Sequence, residues 1–251
     1  TGNEEAMAFT FIMQNIAANL GGMITPFGNP QNLYLYAYYN IGTLEFVKIM
    51  APTFFTATVL ILGICLFVKP VKLTLKKDND YRLDKKRTLI YTILFIASIL
   101  IVFRVIPYTY GTIAVTAALL FLDSKALKQV NYPLLATFCV FFVFSGNMAR
   151  IPAVNEFFSK ILPINTLLFG ILSCQVISNV PTAVLLTDYQ ALLPAVNIGG
   201  CGTLIASLAS LITFSEYKKH NPDKVKEYLI KFTLINVGFI ITLYTVQLLV
   251  N

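Results

Sequence analysis

Asn19-Leu20-Gly21-Gly22-Met23-Ile24-Thr25-Pro26-Phe27-Gly28-Asn29-Pro30-Gln31-Asn32 is the stretch whose reading decides the fold. It aligns without a gap with Asn197-Ile198-Gly199-Gly200-Cys201-Gly202-Thr203-Leu204-Ile205-Ala206-Ser207-Leu208-Ala209-Ser210. Both copies read Asn, Leu or Ile, Gly-Gly, two free positions, Thr, Gly or Ala three residues on, and Asn or Ser at the end. Both lie in strongly apolar surroundings. Backbone that leaves the helix at membrane depth exposes unpaired peptide groups, and this is tolerated only inside protein or along a cavity. A matched pair of Gly/Pro-interrupted apolar segments therefore points to a binding site built from repeats.

Composition supports a membrane setting. The chain is 57% hydrophobic and 12% charged, with a mean hydropathy of +0.72, against roughly 25% charged residues in soluble domains. This predicts an all-α integral membrane protein. The formal charge of +7 does not imply nucleic acid, because the basic residues gather in two inter-helical loops, as cytoplasmic loops do. Cys65, Cys139, Cys174 and Cys201 stand singly in apolar runs and suggest neither a disulfide nor a metal site. His220 sits in a polar run and reads as a solvated loop residue.

Working outward, residues 1–50 hold the first broken helix and an interfacial stretch, Leu44 to Met50. Residues 51–87 hold a spanning helix from Ala51 to Val68 and a basic loop with Lys69, Lys72, Lys76, Lys77, Arg82, Lys85, Lys86 and Arg87. Residues 88–251 form a second repeat. In it Thr88 to Ile106 spans, Gly111 to Leu122 is short and is expected to tuck among other helices, and Tyr132 to Ala149 spans. A re-entrant hairpin follows over 165–187, broken at Ser178-Asn179-Val180-Pro181, because proline cannot continue the helical ladder. The second broken helix covers 192–214 and the last helix 228–250. With both basic loops inside, the two motif copies run in opposite directions, so the expected architecture is an inverted repeat.

Around each gap stand neutral hydrogen-bonding groups. The candidates for binding substrate or ion are Asn19, Thr25, Asn29 and Asn32 in the first copy, and Asn197, Thr203, Ser207 and Ser210 in the second. Ser178, Asn179 and Thr182 come from the hairpin. Interrupted helices offer amide N–H groups to anions at their N-terminal ends and carbonyls to small cations at their C-terminal ends. No firm metal site is expected, and Ser178, Asn179, Asn197 and Asn19 are the candidates for holding sodium. Arg104 and Arg150 read as snorkelling residues at span ends, Glu156 as solvated, and Asp188 as a weak coupling candidate. An intramembrane enzyme lacks its players, with no HExxH and no Ser/His or Cys/His pair. A non-transporting subunit of a two-chain assembly is the third reading.

A hairpin bearing Ser-Asn-Val-Pro-Thr followed by a broken helix bearing Asn-x-Gly-Gly-x-x-Thr resembles the ion transporter superfamily. That group holds the divalent-anion/sodium symporters, citrate transporters among them, and the arsenite permease/sodium–proton antiporter branch. The resemblance implies substrate and sodium bound between hairpin tips and helix breaks, homodimerisation through a scaffold domain, and an elevator-like transport domain. It implies that Ser178 and Asn179 belong to the hairpin motif, that Asn197, Gly199, Gly200 and Thr203 are binding positions of the second repeat's broken helix and Asn19, Gly21, Gly22, Thr25, Gly28, Asn29 and Asn32 those of the first, and that the first repeat's hairpin lies before Thr1 in a longer protein. Two positions depart from the branches: Val180 stands where the symporters carry Thr, and Ser178 where the antiporters carry Asp. The expected function is transport of a small anion coupled to sodium or protons by alternating access, in the cell membrane and without further cofactor. A cation/proton antiporter or arsenite exporter is the alternative.

Overall fold

The computed structural model describes residues 4–68, 84–186 and 189–250, and every regular element among them is helical. The basic loop over 69–83 and the candidate Asp188 lie outside the described residues. The chain divides into two compact units, one of Thr1–Val71 with Cys139–Asn251 and one of Lys72–Phe138.

In the larger unit, α1 (Glu4–Gly21) stops at a short 3-10 turn, Gly22–Ile24, and α2 (Pro30–Tyr38) resumes beyond the break. The helix α3 (Thr43–Leu66) follows. The expected interfacial stretch Leu44–Met50 is not separate: it is the first part of α3, which runs straight through Pro52. The reason is burial. Phe46, Met50, Thr53 and Ala57 form one buried stripe at helical spacing, and Thr53 Oγ1 donates 2.7 Å to Gln247 Oε1 of α13 (Val225–Val250). Tertiary contact thus outweighs the local preference of proline.

The smaller unit contains α4 (Lys85–Val102), α5 (Tyr108–Leu122) and α6 (Ser124–Lys128). The span expected from Thr88 to Ile106 ends early, because Arg104 occupies a turn with φ 62°. The helix α5 packs on α4 within this unit. Among its residues Gly111 alone is buried, where the Ile101 side chain fills the space that a Cβ would need. Tyr91 donates to Asp123 Oδ2 at 2.9 Å, tying α4 to the α5–α6 turn.

From α7 (Tyr132–Met148) the chain re-enters the larger unit and bends by 86° into α8 (Pro152–Ile161). Exposed Glu156 pairs with Lys160 along α8 at 2.7 Å. The hairpin follows as α9 (Thr166–Ile177) and α10 (Asn179–Leu185), then the second broken helix as α11 (Tyr189–Ile198) and α12 (Leu208–His220). His220 ends α12 rather than lying in a loop. Lys219 and His220 both face Glu216 one turn back, at 2.8 and 3.4 Å, and the nearby ammonium holds the Glu216 carboxyl below the usual carboxylate range.

Three helices are long and apolar enough to cross a membrane among the described residues, Met7–Ile24, Thr43–Leu66 and Pro222–Val250, or four if the bent pair at α7 and α8 counts as one. Their outer faces expose large apolar side chains such as Phe55, Leu62, Leu234 and Ile241, which suits hydrocarbon rather than water. The protein is an all-α membrane protein with broken helices.

Candidate functional site

The breaks form where the sequence places residues that cannot extend a helix. After Gly21 the first segment turns on Gly22 and Gly28, which meet backbone to backbone: a Cβ on Gly28 would collide with the Gly22 carbonyl, and one on Gly22 would stand 2.7 Å from the Gly28 carbonyl. Pro30 then opens α2, where its missing N–H costs nothing. In the second segment the break runs from Gly199 to Thr203, with Gly202 at φ 113°, a conformation that glycine adopts without strain. In the hairpin, Ser178 itself takes φ 73°. That is costly for a residue with a Cβ, and it turns the chain between α9 and α10.

These three interruptions meet in one buried polar cluster. Asn197, fully buried, donates from Nδ2 to Asn32 Oδ1 at 2.6 Å and to the Leu193 carbonyl at 2.7 Å, and its Oδ1 accepts from Asn29 Nδ2 at 3.1 Å. Asn29 Nδ2 also reaches the Asn19 carbonyl at 3.0 Å. Asn19 Nδ2 crosses to the Gly200 carbonyl at 3.3 Å, and Asn32 Nδ2 holds the Met23 carbonyl at 3.3 Å. Around Gly200, the site of an absent Cβ lies 3.0 Å from Asn179 Nδ2, 3.3 Å from the Asn197 carbonyl and 3.4 Å from Asn19 Oδ1. Hairpin tip, first copy and second copy therefore converge on that glycine.

Other candidates sit at the margins. Thr182 Oγ1 is taken up by the Ser178 carbonyl at 2.8 Å, and Ser178 Oγ donates to the Ala206 carbonyl at 3.3 Å. Gly199 packs against Cys174 of α9. Thr25 is half-buried and closes the first break through backbone bonds to Gly22 and Gly28. Thr203 is exposed and bonds Gln175, and Gly21 is exposed with nothing near it.

The cluster is neutral. Among the described residues no Asp, Glu, Lys, Arg or His is buried, and no group of His, Cys, Asp and Glu could hold a metal ion. Its electrostatics come from peptide dipoles. The helices α2 and α12 begin at the breaks behind Asn29 and Ser207, presenting partial positive ends, while α1 and α11 finish there with partial negative ends. Such a site offers hydrogen bonds and dipoles, and among the described residues no buried charged side chain.

A family model described as a citrate transporter matches residues 7–189. The chain belongs to the citrate transporter family. A protein of Methanocaldococcus jannaschii described as an uncharacterized transporter is 40% identical over 206 residues, which cover 80% of this chain and 56% of the relative. The inner membrane protein YbiR of Escherichia coli strain K12 is 28% identical over 209 residues, with the same shares covered. This family member thus spans a little over half the length of those relatives. No solved structure matches it.

Three further polar residues of this citrate transporter relative join the site without belonging to the motif. Asn15 is 1% exposed, and its Oδ1 accepts from Asn19 and from Ser210 Oγ of α12. Asn236 of α13 is fully buried and accepts the Gly202 N–H at 3.4 Å. Gln175 of α9 bonds the second break at several points. The available signal was a lone amide in an apolar helix, which is expensive unless partnered.

Proposed function

We propose that the protein is a secondary-active carrier that moves a small anion, a carboxylate or inorganic oxyanion, across the cell membrane, coupled to sodium or protons through alternating access. The observation that carries this reading is the neutral amide cluster at the meeting of two helix breaks and a hairpin tip. Amide N–H groups and the N-terminal ends of α2 and α12 suit an oxyanion. With no buried cation among the described residues to balance the substrate, a co-transported sodium ion or proton supplies the opposite charge. In this reading substrate meets Asn179, Asn29 and Asn32, and the carbonyl-rich ends at Asn19, Asn197 and Ser178 face the coupling ion. Family membership and transporter-named relatives support transport as such. We further propose an inverted repeat and a homodimer.

The second reading, a cation/proton antiporter or arsenite exporter, draws on Val180, which is 4% exposed at the tip and offers no hydroxyl to a second carboxylate. It needs a titrating group at the tip, however, where Ser178 stands.

The test is charge movement by the full-length protein in proteoliposomes on adding citrate, succinate, sulfate or arsenite, with and without a sodium gradient. A sodium- or proton-dependent current with one of the oxyanions is expected. Ion exchange that ignores every anion would reverse the order of the two readings.

A further inference from the structure

Gln175, one turn before the hairpin tip, makes a pattern of bonds that an ordinary buried amide does not need. Its Nε2 lies 3.1 Å from the Ile171 carbonyl, 3.0 Å from that of Gly199 and 3.0 Å from that of Cys201. Its Oε1 accepts the Thr203 N–H at 2.8 Å, and Thr203 Oγ1 donates to the Gln175 carbonyl at 3.1 Å. A primary amide has two N–H hydrogens, so three carbonyls share two hydrogens at one nitrogen. The backbone is shaped around this side chain: at Gly202, with φ 113°, a Cβ would run into the Gln175 amide.

The chemistry of the three oxygens favours positive charge. Those of Gly199 and Cys201 directly follow the C-terminal end of α11, where the peptide dipoles leave a partial negative charge. Converging carbonyls of this kind are what replaces the hydration shell of a small cation in irregular membrane backbone. Here the centre is held by a neutral donor carried on the protein's own chain.

We infer that the Gln175 amide takes the place of a bound cation at the second break. It gathers the carbonyls that would otherwise repel one another, so this half of the molecule keeps its shape without a metal ion. Deleting the amide leaves a monovalent-cation site bounded by the Ile171, Gly199 and Cys201 carbonyls. Gln175 is a positioning residue: it fixes Thr203 and the approach to Gly200. The consequence that no coupling ion rides at this position rests on the transport reading, but the cage itself does not.

The test is thermal unfolding of the full-length protein, of Gln175→Ala and of Gln175→Met, in sodium chloride and in choline chloride at equal ionic strength. Gln175→Ala is expected to unfold at least about 4 °C below wild type in choline. Sodium should restore half or more of that loss, beyond any effect on wild type, because the ion binds the folded form. Gln175→Met fills the space without donating and is expected to stay low in both salts. A Gln175→Ala protein as stable as wild type in choline would overturn the inference. So would one that stays low in both salts, since packing alone then explains Gln175. If neither variant folds in either salt, sodium has failed to replace the amide and the inference falls equally. Failure of wild type to move any anion would instead overturn the transport reading and leave this result standing.

Discussion

The two copies of the motif follow nearly the same backbone course at the point where the helix resumes and use different chemistry there. Asn29 precedes α2 at φ −140°, ψ 147°, and its counterpart Ser207 precedes α12 at φ −147°, ψ 152°. Ser207 does the local work of an N-cap, accepting the Ser210 N–H at 3.2 Å. Asn29 leaves its own helix uncapped and sends its amide across to Asn19 and Asn197. The packing is reciprocal, with α1 against α12 and α2 against α11, and the side-chain ties run both ways, from Asn19 and Asn29 to the second copy and from Asn197 and Ser210 back to the first segment. The second copy is braced from outside the motif, by Gln175 and Asn236. A repeated backbone geometry therefore does not require repeated side-chain roles, and each break is stabilised by whatever amide reaches its carbonyls.

The sharpest way to break that comparison is Asn197→Ala. It removes one partner each of Asn29 and Asn32 and a side-chain donor to the Leu193 carbonyl in a fully buried setting. Each orphaned group costs about 1–3 kcal/mol. Uptake in proteoliposomes is expected to vanish, and the unfolding midpoint to drop below that of Asn32→Ala, which loses two bonds rather than three. Equal midpoints for the two would mean that the cross-copy ties are shared evenly. Asn179→Ala should separate binding from folding. Its side chain makes no hydrogen bond among the described residues although it is 4% exposed, so stability should hold to about 0.5 kcal/mol while uptake falls at least tenfold. Wild-type uptake in that variant would remove Asn179 from the site.

The equivalent glycines Gly21 and Gly199 sharpen the comparison further. A Cβ on Gly21 meets nothing, and one on Gly199 stands 2.7 Å from Cys174 Sγ and 2.8 Å from the Ala195 carbonyl. Gly199→Ala is expected to cost about 1–3 kcal/mol through overpacking. Gly21→Ala should be neutral or gain up to about 1 kcal/mol through helix propensity. Denaturant midpoints with unchanged slopes would check both, and a symmetric outcome would show that α1 has a close neighbour at Gly21 as α11 has in α9.

Much of the architecture was legible because Gly and Pro in apolar surroundings have few explanations. The breaks after Gly21 and Ile198 and the turn at Ser178 follow from that rule, and all three fall where the residues suggested. Where tertiary contact decides, local reading failed. The stretch Leu44–Met50 looked separate from the span after it, yet Phe46 and Met50 continue the buried stripe of Thr53 and Ala57 past Pro52. Within the cluster, Asn19, Asn29, Asn32 and Asn197 were marked by repetition, whereas Asn15, Gln175 and Asn236 occur once each and have no echo in the other copy. Thr203 matched the motif and is nonetheless exposed, because its partner is the unmarked Gln175.

The smallest expected effect isolates the capping difference itself. Ser207→Ala removes one side-chain acceptor from the first turn of α12 and the 2.8 Å contact with Ser210 Oγ, which costs about 1 kcal/mol. Ser210 keeps its bond to Asn15, so the tie between copies survives and uptake should change less than twofold. Asn29→Ala removes no cap but one tie within the first copy and one to Asn197, and should leave α2 helical while lowering uptake far more than stability. Measured side by side, a larger uptake loss for Asn29→Ala at a similar midpoint would place the working contacts of this cap position in the first copy. The reverse order would mean that the N-terminal end of α12, not that of α2, sets the geometry of the site.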